Sequence, residues 1–391
     1  MEIKNKLIDI VKKSPVIYSI YYYFASMCIN LLKIFVKEDN KLILFVSYGG
    51  RYYNDSPKCL YEAMQKDERF ENYKFIWAFR EPKRIQLPGR GEKIKIDTWR
   101  YYVTALKARV WITNVMIERA LKFKGKNTFY LHTTHTTLPK KMALDSTNGK
   151  DFKTKNKIQY DCSCAQSAYE GKLQLGMFGL KKEQILLSGY PKNDLLANAG
   201  VLECIESRKK LGISEGKKVI LYAPTYREDN PNIMSLNVDF EKWEKILGND
   251  YCVLYRAHPT VSDQTKITTS PDFIKNVSYY PDNVDIMLAS DILISDYSGI
   301  FFEYAVLKRP MYCYAYDYDN YISSRELYFD IRDSIPGGRL TEEELLKKIK
   351  TGISKGDLKL LDDFREKYVS IYGNATQKCL DKIADVINVR S

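Results

Sequence analysis

The chain has 391 residues, and its 61 Lys plus Arg against 49 Asp plus Glu give a formal net charge of +12. That length suits two or three domains, each able to bury its own core, and a hydrophobic content of 45% with 20 Gly and 13 Pro excludes a collagen-like or disordered chain. The size argues against a small basic domain that only coats nucleic acid, while the charge implies an anionic partner such as a phosphate, a nucleotide or a membrane surface.

The first element is an apolar, aromatic stretch from Pro15 to Val36, preceded by Lys4, Lys6, Lys12 and Lys13 and closed by Lys33 and Lys37. It is long enough to span a bilayer, which takes about 20 mainly apolar residues. Ser19, Ser26, Asn30 and Lys33 make it a poor span, and no small-x-small cleavage site marks it as a signal peptide. An interfacial helix fits best, with lysines on anionic headgroups and Tyr, Phe and Leu at the acyl boundary. Packing against the first domain is the alternative.

From Lys41 the pattern becomes strands separated by helix-length segments, which predicts parallel βαβ units. Strands are expected at Lys41–Ser47, Lys74–Phe79, Ile94–Ile96, Arg109–Thr113, Thr128–Leu131 and Ile185–Ser188. A second series follows at Lys218–Tyr222, Tyr251–Arg256, Asp291–Ser295 and Met311–Ala315. Helices are expected from Ser56-Pro57, over Trp99–Lys107, Cys204–Leu211 and Gly299–Leu307, after the capping box that starts at Thr341, and through the tail from about Leu358. The turn-rich run PKNDLLANAG marks a domain boundary near Tyr190–Cys204. The expected organisation is a membrane-associating segment over 1–40 and two Rossmann-like, doubly wound α/β domains over 41–190 and 191–391, facing a cleft. The eight cysteines are scattered, and Cys162-Ser163-Cys164 has the wrong spacing for a zinc knuckle, so free thiols are expected.

Ligands of such sheets bind beyond the carboxyl ends of strands, and the chemistry-bearing residues lie there. His135 follows Thr128–Leu131 in LHTTHTTLPKK, and His258 follows Tyr251–Arg256 in YRAHP. An imidazole beside Lys or Arg suits work on phosphate, as a base toward a hydroxyl or as a charge on a phosphoryl oxygen. His132 is in or beside its strand and is expected to be structural. Asp296-Tyr297-Ser298-Gly299 joins a strand to a helix, Ser298 is placed to cap that helix, and its first N–H groups offer an anion site. No P-loop, GxSxG or GxGxxG is present, and no Asp-x-Asp is placed for a metal–nucleotide complex.

The segments ILYAPTYRED (220–229), YRAHP (255–259), ISDYSGIFFEYA (294–305) and CYAYDYDNY with RELYFD (313–330) resemble the CDP-glycerol glycerophosphotransferase family, the teichoic acid primases and polymerases of Gram-positive bacteria. SYGGRYYNDSPKCLYEAM (47–64), KFIWAF (74–79) and SGYPKNDLL (188–196) extend the resemblance over nearly the whole chain beyond Lys41. It implies a GT-B-like fold with the donor nucleotide in the C-terminal domain. Two histidines are implied as catalytic: His135, where the family's His-Gly-Thr-Pro-Leu-Lys reads His135-Thr136-Thr137-Leu138-Pro139-Lys140, and His258 of Arg-x-His-Pro. Donor binding falls to Thr225, Arg256, Asp296, Ser298, Gly299 (where the family has a second Ser), Glu303 and Arg325, the last in an element with Glu326 in place of Gly. Thr137, Lys140 and Lys141 form the implied acceptor and phosphate loop.

The expected activity is transfer of glycerol phosphate or a related polyol phosphate from a CDP-activated donor to a hydroxyl, releasing CMP. His135 acts as base, and His258 with the Ser298–Gly299 turn neutralises the pyrophosphate. Expected partners are the CDP-polyol, an undecaprenyl-type lipid-linked saccharide and the anionic inner leaflet, at which the protein is peripheral. No nucleic acid is expected, and homo-oligomer formation is left open. No tightly bound cofactor or metal site is expected, and a divalent-metal requirement is left open. Family polymerases often carry a large extra N-terminal region, so a primase-like transfer is favoured. A nucleotide-sugar glycosyltransferase of the same fold is the rival enzyme, and a basic membrane adaptor the rival without chemistry.

Overall fold

Two all-parallel sheets carry the fold, one in each of two units. The computed structural model describes residues 14–135, 137, 139–146, 159–227, 238–257, 259–262, 265 and 267–388. The first unit takes the described residues within 1–135, 142–192 and 374–391, and the second those within 136–141 and 193–373.

The first sheet has strands β1 (Asp39–Val46), β2 (Lys74–Phe79), β3 (Glu92–Lys95), β4 (Ala108–Thr113), β5 (Phe129–His132), β6 (Cys162–Ala165) and β7 (Ile185–Leu187). Their spatial order is β3-β2-β1-β4-β5-β6-β7. The chain therefore winds outward from β1 to β3, then restarts on the other side of β1 with β4. Ile43 lies in register with Phe75 on one side and Val110 on the other. Both faces are covered, so β1, β2 and β4 read as unbroken apolar runs. One face packs Phe45, Phe75, Trp77 and Val110 against Leu60 and Met64 of the helix Asp55–Met64. The other packs Leu44, Ile76 and Trp111 against Tyr101 and Ala105 of the helix Trp99–Lys107.

The second sheet has β8 (Lys218–Tyr222), β9 (Tyr251–Tyr255), β10 (Ile274–Asn276), β11 (Ile292–Ser295) and β12 (Met311–Cys313), ordered β10-β9-β8-β11-β12. It reverses beside β8 as the first sheet does beside β1. Each reversal is a topological switch point, where consecutive crossovers leave to opposite faces and open a crevice at the carboxyl edge.

The N-terminal helix Pro15–Leu32 packs against the first unit, the alternative among its expected fates. Ser14 caps it through Ile17 N, with Pro15 at its first turn. The polar residues that spoil it as a membrane span tie it to the first unit. Ser26 Oγ accepts from Lys122 N (3.0 Å), Asn30 Nδ2 donates to Lys122 O (2.7 Å), and Lys33 Nζ donates to Lys124 O (3.0 Å). Val16, Ile20, Tyr21, Phe24, Met27 and Leu31 are exposed. No helix among the described residues is long and apolar enough to cross a membrane.

The units divide between Lys192 and Asn193, inside the expected boundary region, although PKNDLLA there is a helix (Pro191–Ala197) rather than a turn-rich linker. Two further expectations change. The C-terminal helix Ala375–Asn388, expected in the 191–391 domain, belongs to the first unit, because Cys379, Leu380, Ile383 and Ile387 are buried in its core. The segment 136–141, expected within 41–190, groups with the second unit. Burial of Ile383 predicts that Ile383→Ala lowers the unfolding free energy by about 2–5 kcal/mol in urea titrations. The exposed Leu202→Ala should stay within about 0.5 kcal/mol.

Candidate functional site

The first crevice opens beyond β1 and β4, and His135 stands in it. Tyr48, two residues beyond the end of β1, donates its backbone N–H to Asn114 Oδ1 (2.9 Å), which joins the two strand ends across the switch point. The carbonyl of the same Asn114 lies 3.2 Å from His135 Nδ1. A carbonyl only accepts, so Nδ1 carries the proton and Nε2 holds the lone pair. The Tyr48 ring meets the imidazole edge-on at 5.9 Å. Around it sits a buried polar set: Lys192 Nζ pairs with Asp55 Oδ2 (3.1 Å) and also donates to the His135 carbonyl, and Tyr48 Oη donates to Asp55 Oδ2 (3.0 Å). Asp55 takes a left-handed conformation (φ 62°), which Asp tolerates better than most residues. Burial pushes the His135 pKa down, and the Lys192 charge adds to this against the Asn114 bond and Asp55.

The second crevice opens beyond β8 and β11. Asp296 bridges it: Oδ1 accepts from Thr225 N (2.9 Å) and Tyr297 N (2.7 Å), and Oδ2 pairs with Arg227 Nη2 (2.8 Å). Both oxygens are engaged, so Asp296 braces the loops that follow β8 and β11. Arg227 also donates through Nε to Asp317 Oδ2 (2.7 Å) and through Nη2 to Asp317 Oδ1 (2.9 Å). Its guanidinium carbon lies 5.1 Å from the Tyr297 ring centre and 5.3 Å from that of Tyr321, and these rings stack at 3.7 Å. Burial opposes the Arg227 charge, but Asp296 and Asp317 outweigh it and raise the pKa. Thr225 Oγ1 and Tyr321 Oη, buried on either side of this cluster, have no hydrogen-bond partner among the described residues.

The other expected donor residues are distributed as follows. Ser298 Oγ accepts from Ile300 N (3.3 Å), but the N-cap of the helix is Gly299 rather than the expected Ser298. That helix is short, α over Ile300–Tyr304 and 3₁₀ over Ala305–Leu307, and holds a half-buried Glu303. Gly299 is buried at its start. Arg256 Nη1 donates to the carbonyls of Val277 (2.8 Å) and Tyr280 (3.0 Å), a brace on the loop after β10. Arg325 ends the helix Tyr318–Ser324, its N–H bonded to Tyr321 O (3.1 Å). His258 lies outside the described residues.

The implied acceptor loop pairs with the Arg325 element. Lys140 forms an antiparallel bridge with Leu327, Lys141 N donates to Glu326 O (2.8 Å), and Tyr328 N donates to Pro139 O (2.6 Å). Lys140 Nζ lies 5.4 Å from the Tyr321 ring centre, and Thr137 is buried. Thr137, Lys140 and Lys141 are thus part of the second unit. Sequence reasoning missed Asn114, Asp55, Lys192, Arg227 and Asp317. Asp55, Lys192, Arg227 and Asp317 each lie within a segment already singled out, whereas Asn114 lies in none.

Known proteins show the same organisation. The family model for CDP-glycerol:poly(glycerophosphate) glycerophosphotransferase matches residues 28–385. The chain belongs to this family. It is 35% identical over 353 residues to a teichoic acid poly(glycerol phosphate) polymerase of Staphylococcus epidermidis, covering 85% of this chain and 47% of that one, so it spans about half that relative's length. It is 33% identical over 325 residues to a teichoic acid glycerol-phosphate transferase of Staphylococcus aureus, covering 78% and 82%. A solved structure of the wall teichoic acid polymerase TagF, a His-to-Asn variant soaked with CDPG, superposes with a TM-score of 0.83 at 31% identity and covers 93% of each chain.

Within this glycerophosphotransferase fold His132 is structural. It is 3% exposed, stacks on Tyr160 at 4.0 Å, and bonds Ser163 Oγ through Nδ1 (3.1 Å). Burial pushes its pKa down to about 3. Between there and the ordinary imidazole value of about 6.5 the unfolded chain takes up a proton that the folded protein refuses, so stability is lost as pH falls. Urea midpoints measured from pH 7 to 4.5 should fall less steeply for His132→Gln than for the parent. Equal slopes would exclude this assignment.

Proposed function

We propose that the protein transfers glycerol phosphate, or a related polyol phosphate, from CDP-glycerol to a hydroxyl of a lipid-linked acceptor in teichoic acid or related surface-polymer synthesis, releasing CMP. The observation that carries this is the state of His135: a half-buried, neutral imidazole at a switch point, with Nδ1 tied to Asn114 O and the Nε2 lone pair left as base. Nε2 takes the proton as the acceptor oxygen attacks the distal phosphorus. The bond from that phosphorus to the bridging oxygen breaks, and CMP leaves with the bridging oxygen and its electron pair. Such a reaction depends on positioning and on charge placed around the phosphoryl oxygens.

The donor is assigned to the second crevice. Thr225 Oγ1 and Tyr321 Oη are orphan polar groups there, and Ser298, Gly299, Glu303 and Arg325 flank it. His258 is assigned to the pyrophosphate through the family motif, and Lys140 and Lys141 to phosphate oxygens. CDP-glycerol is a cosubstrate, in keeping with the CDPG soak of TagF, and no step is assigned to a metal.

The protein is proposed to work at the inner face of the membrane as a peripheral enzyme, since a lipid-linked acceptor lies at the bilayer and a CDP-polyol in the cytosol. The exposed apolar face of Pro15–Leu32 would enter the interface while Ser26, Asn30 and Lys33 anchor the helix to the first unit.

With CDP-glycerol and a synthetic lipid-linked disaccharide, His135→Ala should lower CMP release by about 10²-fold or more, and His258→Ala should do likewise. Near-normal turnover in a folded variant would remove its assigned role. A base is active only when neutral, so activity falls below its pKa, and the lowered His135 pKa puts the acidic limb of kcat/KM below the ordinary imidazole value. Product masses distinguish a single adduct from a ladder, which is to say priming from polymerisation. Replacing Val16, Ile20 and Phe24 with Ser should release the protein from anionic vesicles in flotation assays, and undiminished binding would exclude this helix as the anchor.

A further inference from the structure

The carboxyl edge of the first sheet holds a cluster of cations that the transfer step above does not use. Arg80 and Arg119 converge on the turn after β1, two residues before Arg51 in the chain. Arg80 Nε donates to Gly49 O (3.2 Å), and a methyl group on Gly49 would lie 3.2 Å from Arg119 Nη1 and 3.9 Å from Arg80 Nη2. Gly49 is left-handed (φ 61°), and together with the missing side chain this lets two guanidiniums close on the backbone. A single carboxylate answers the three charges: Asp97 binds Arg119 at 2.7 and 2.9 Å. Among the described residues neither Arg51 nor Arg80 has an ion-pair partner, and both are exposed. Although Arg80 is exposed, partial desolvation lowers its pKa first, then the Arg51 and Arg119 charges, with Asp97 opposing them. A solvated surface would let such side chains spread apart. Here the Gly49 carbonyl holds Arg80, and Asp97 holds Arg119 beside it, so an anion would meet two guanidiniums already in place.

The position gives this charge a use. Gly49 directly follows Tyr48, whose ring lies 5.9 Å from the His135 imidazole. We propose that Arg51, Arg80 and Arg119 form a subsite for a phosphoryl group already on the acceptor, a phosphodiester or pyrophosphate whose neighbouring hydroxyl is delivered to His135. The catalytic use of this subsite rests on the transfer reading, but the anion binding does not. Arg forks suit such oxygens better than point charges do. A phosphorylated acceptor would then be selected over a bare polyol or saccharide.

The test uses the full chain with Arg51 and Arg80 changed, leaving Arg119 with its Asp97 partner. Calorimetry at low salt measures binding of a short glycerol phosphate oligomer and, separately, of inorganic pyrophosphate, and the tighter of the two names the source of the phosphoryl group. The double variant Arg51→Gln/Arg80→Gln should weaken the preferred anion by at least about tenfold, given the strength of charge-assisted hydrogen bonds. Arg51→Lys/Arg80→Lys should keep part of it. In the transfer assay the Gln double variant should raise the acceptor KM by a similar factor and leave the CDP-glycerol KM unchanged. Failure of the parent to bind either anion, equal binding by a folded Gln double variant, or an unchanged acceptor KM would overturn the subsite. Arginine-dependent binding without any CMP release would overturn the transfer reading and leave the subsite standing.

Discussion

Everything functional in this protein depends on one constraint of parallel sheets. Strands that all run one way deliver their following loops to one edge, and where the winding reverses, two neighbouring loops diverge and leave a gap. The reversal lies between β1 and β4 in one unit and between β8 and β11 in the other. Both gaps are closed by an equivalent device, a side chain beyond one strand binding a backbone N–H beyond the other. Asn114 Oδ1 takes Tyr48 N, and Asp296 Oδ1 takes Thr225 N. The groups proposed to act on ligands stand on these two braces: His135 on the Asn114 carbonyl, and the Thr225 hydroxyl beside Asp296.

Charge is used in two opposite ways at these edges. In the second unit it is compensated internally. Arg227 directs its donors to Asp296 and Asp317 among stacked tyrosines, and this network fixes the loop. Removing one member would strand the others in a half-buried site, which is the costly way to break such a network. In the first unit, by contrast, Arg51 and Arg80 are unanswered by carboxylates. A fully compensated network shapes a site, and a crowded uncompensated one recruits an anion.

The N-terminal helix shows why apolar length alone does not settle a fate. Its polar residues lie on one face and meet the backbone of residues 122–124, while its large apolar residues lie on the other. Packing and membrane contact need not be alternatives when a helix has two faces to give.

Ten of the twelve strands were legible in the sequence, because a buried parallel strand is a short apolar run bounded by turn residues and β1, β2, β4, β8 and β9 fit that description. The exceptions are β6, whose Cys-Ser-Cys-Ala lacks β-branched residues, and β10, only three residues long. Their pairing comes from neighbouring strands rather than from local preference. The post-strand position of His135 was likewise local, and so was readable. Tertiary structure alone decided the rest. It placed the helix Ala375–Asn388 in the first core, paired Lys140 with Leu327, gave Asp296 its bonds to Thr225 and Arg227, and brought Arg80 and Arg119 together at Gly49. The sequence by itself determined which segments become strands and which residues follow them, since those depend on neighbours along the chain. Which of those residues meet depends on strand order, and strand order is set by how the crossovers wind and what each sheet face must bury.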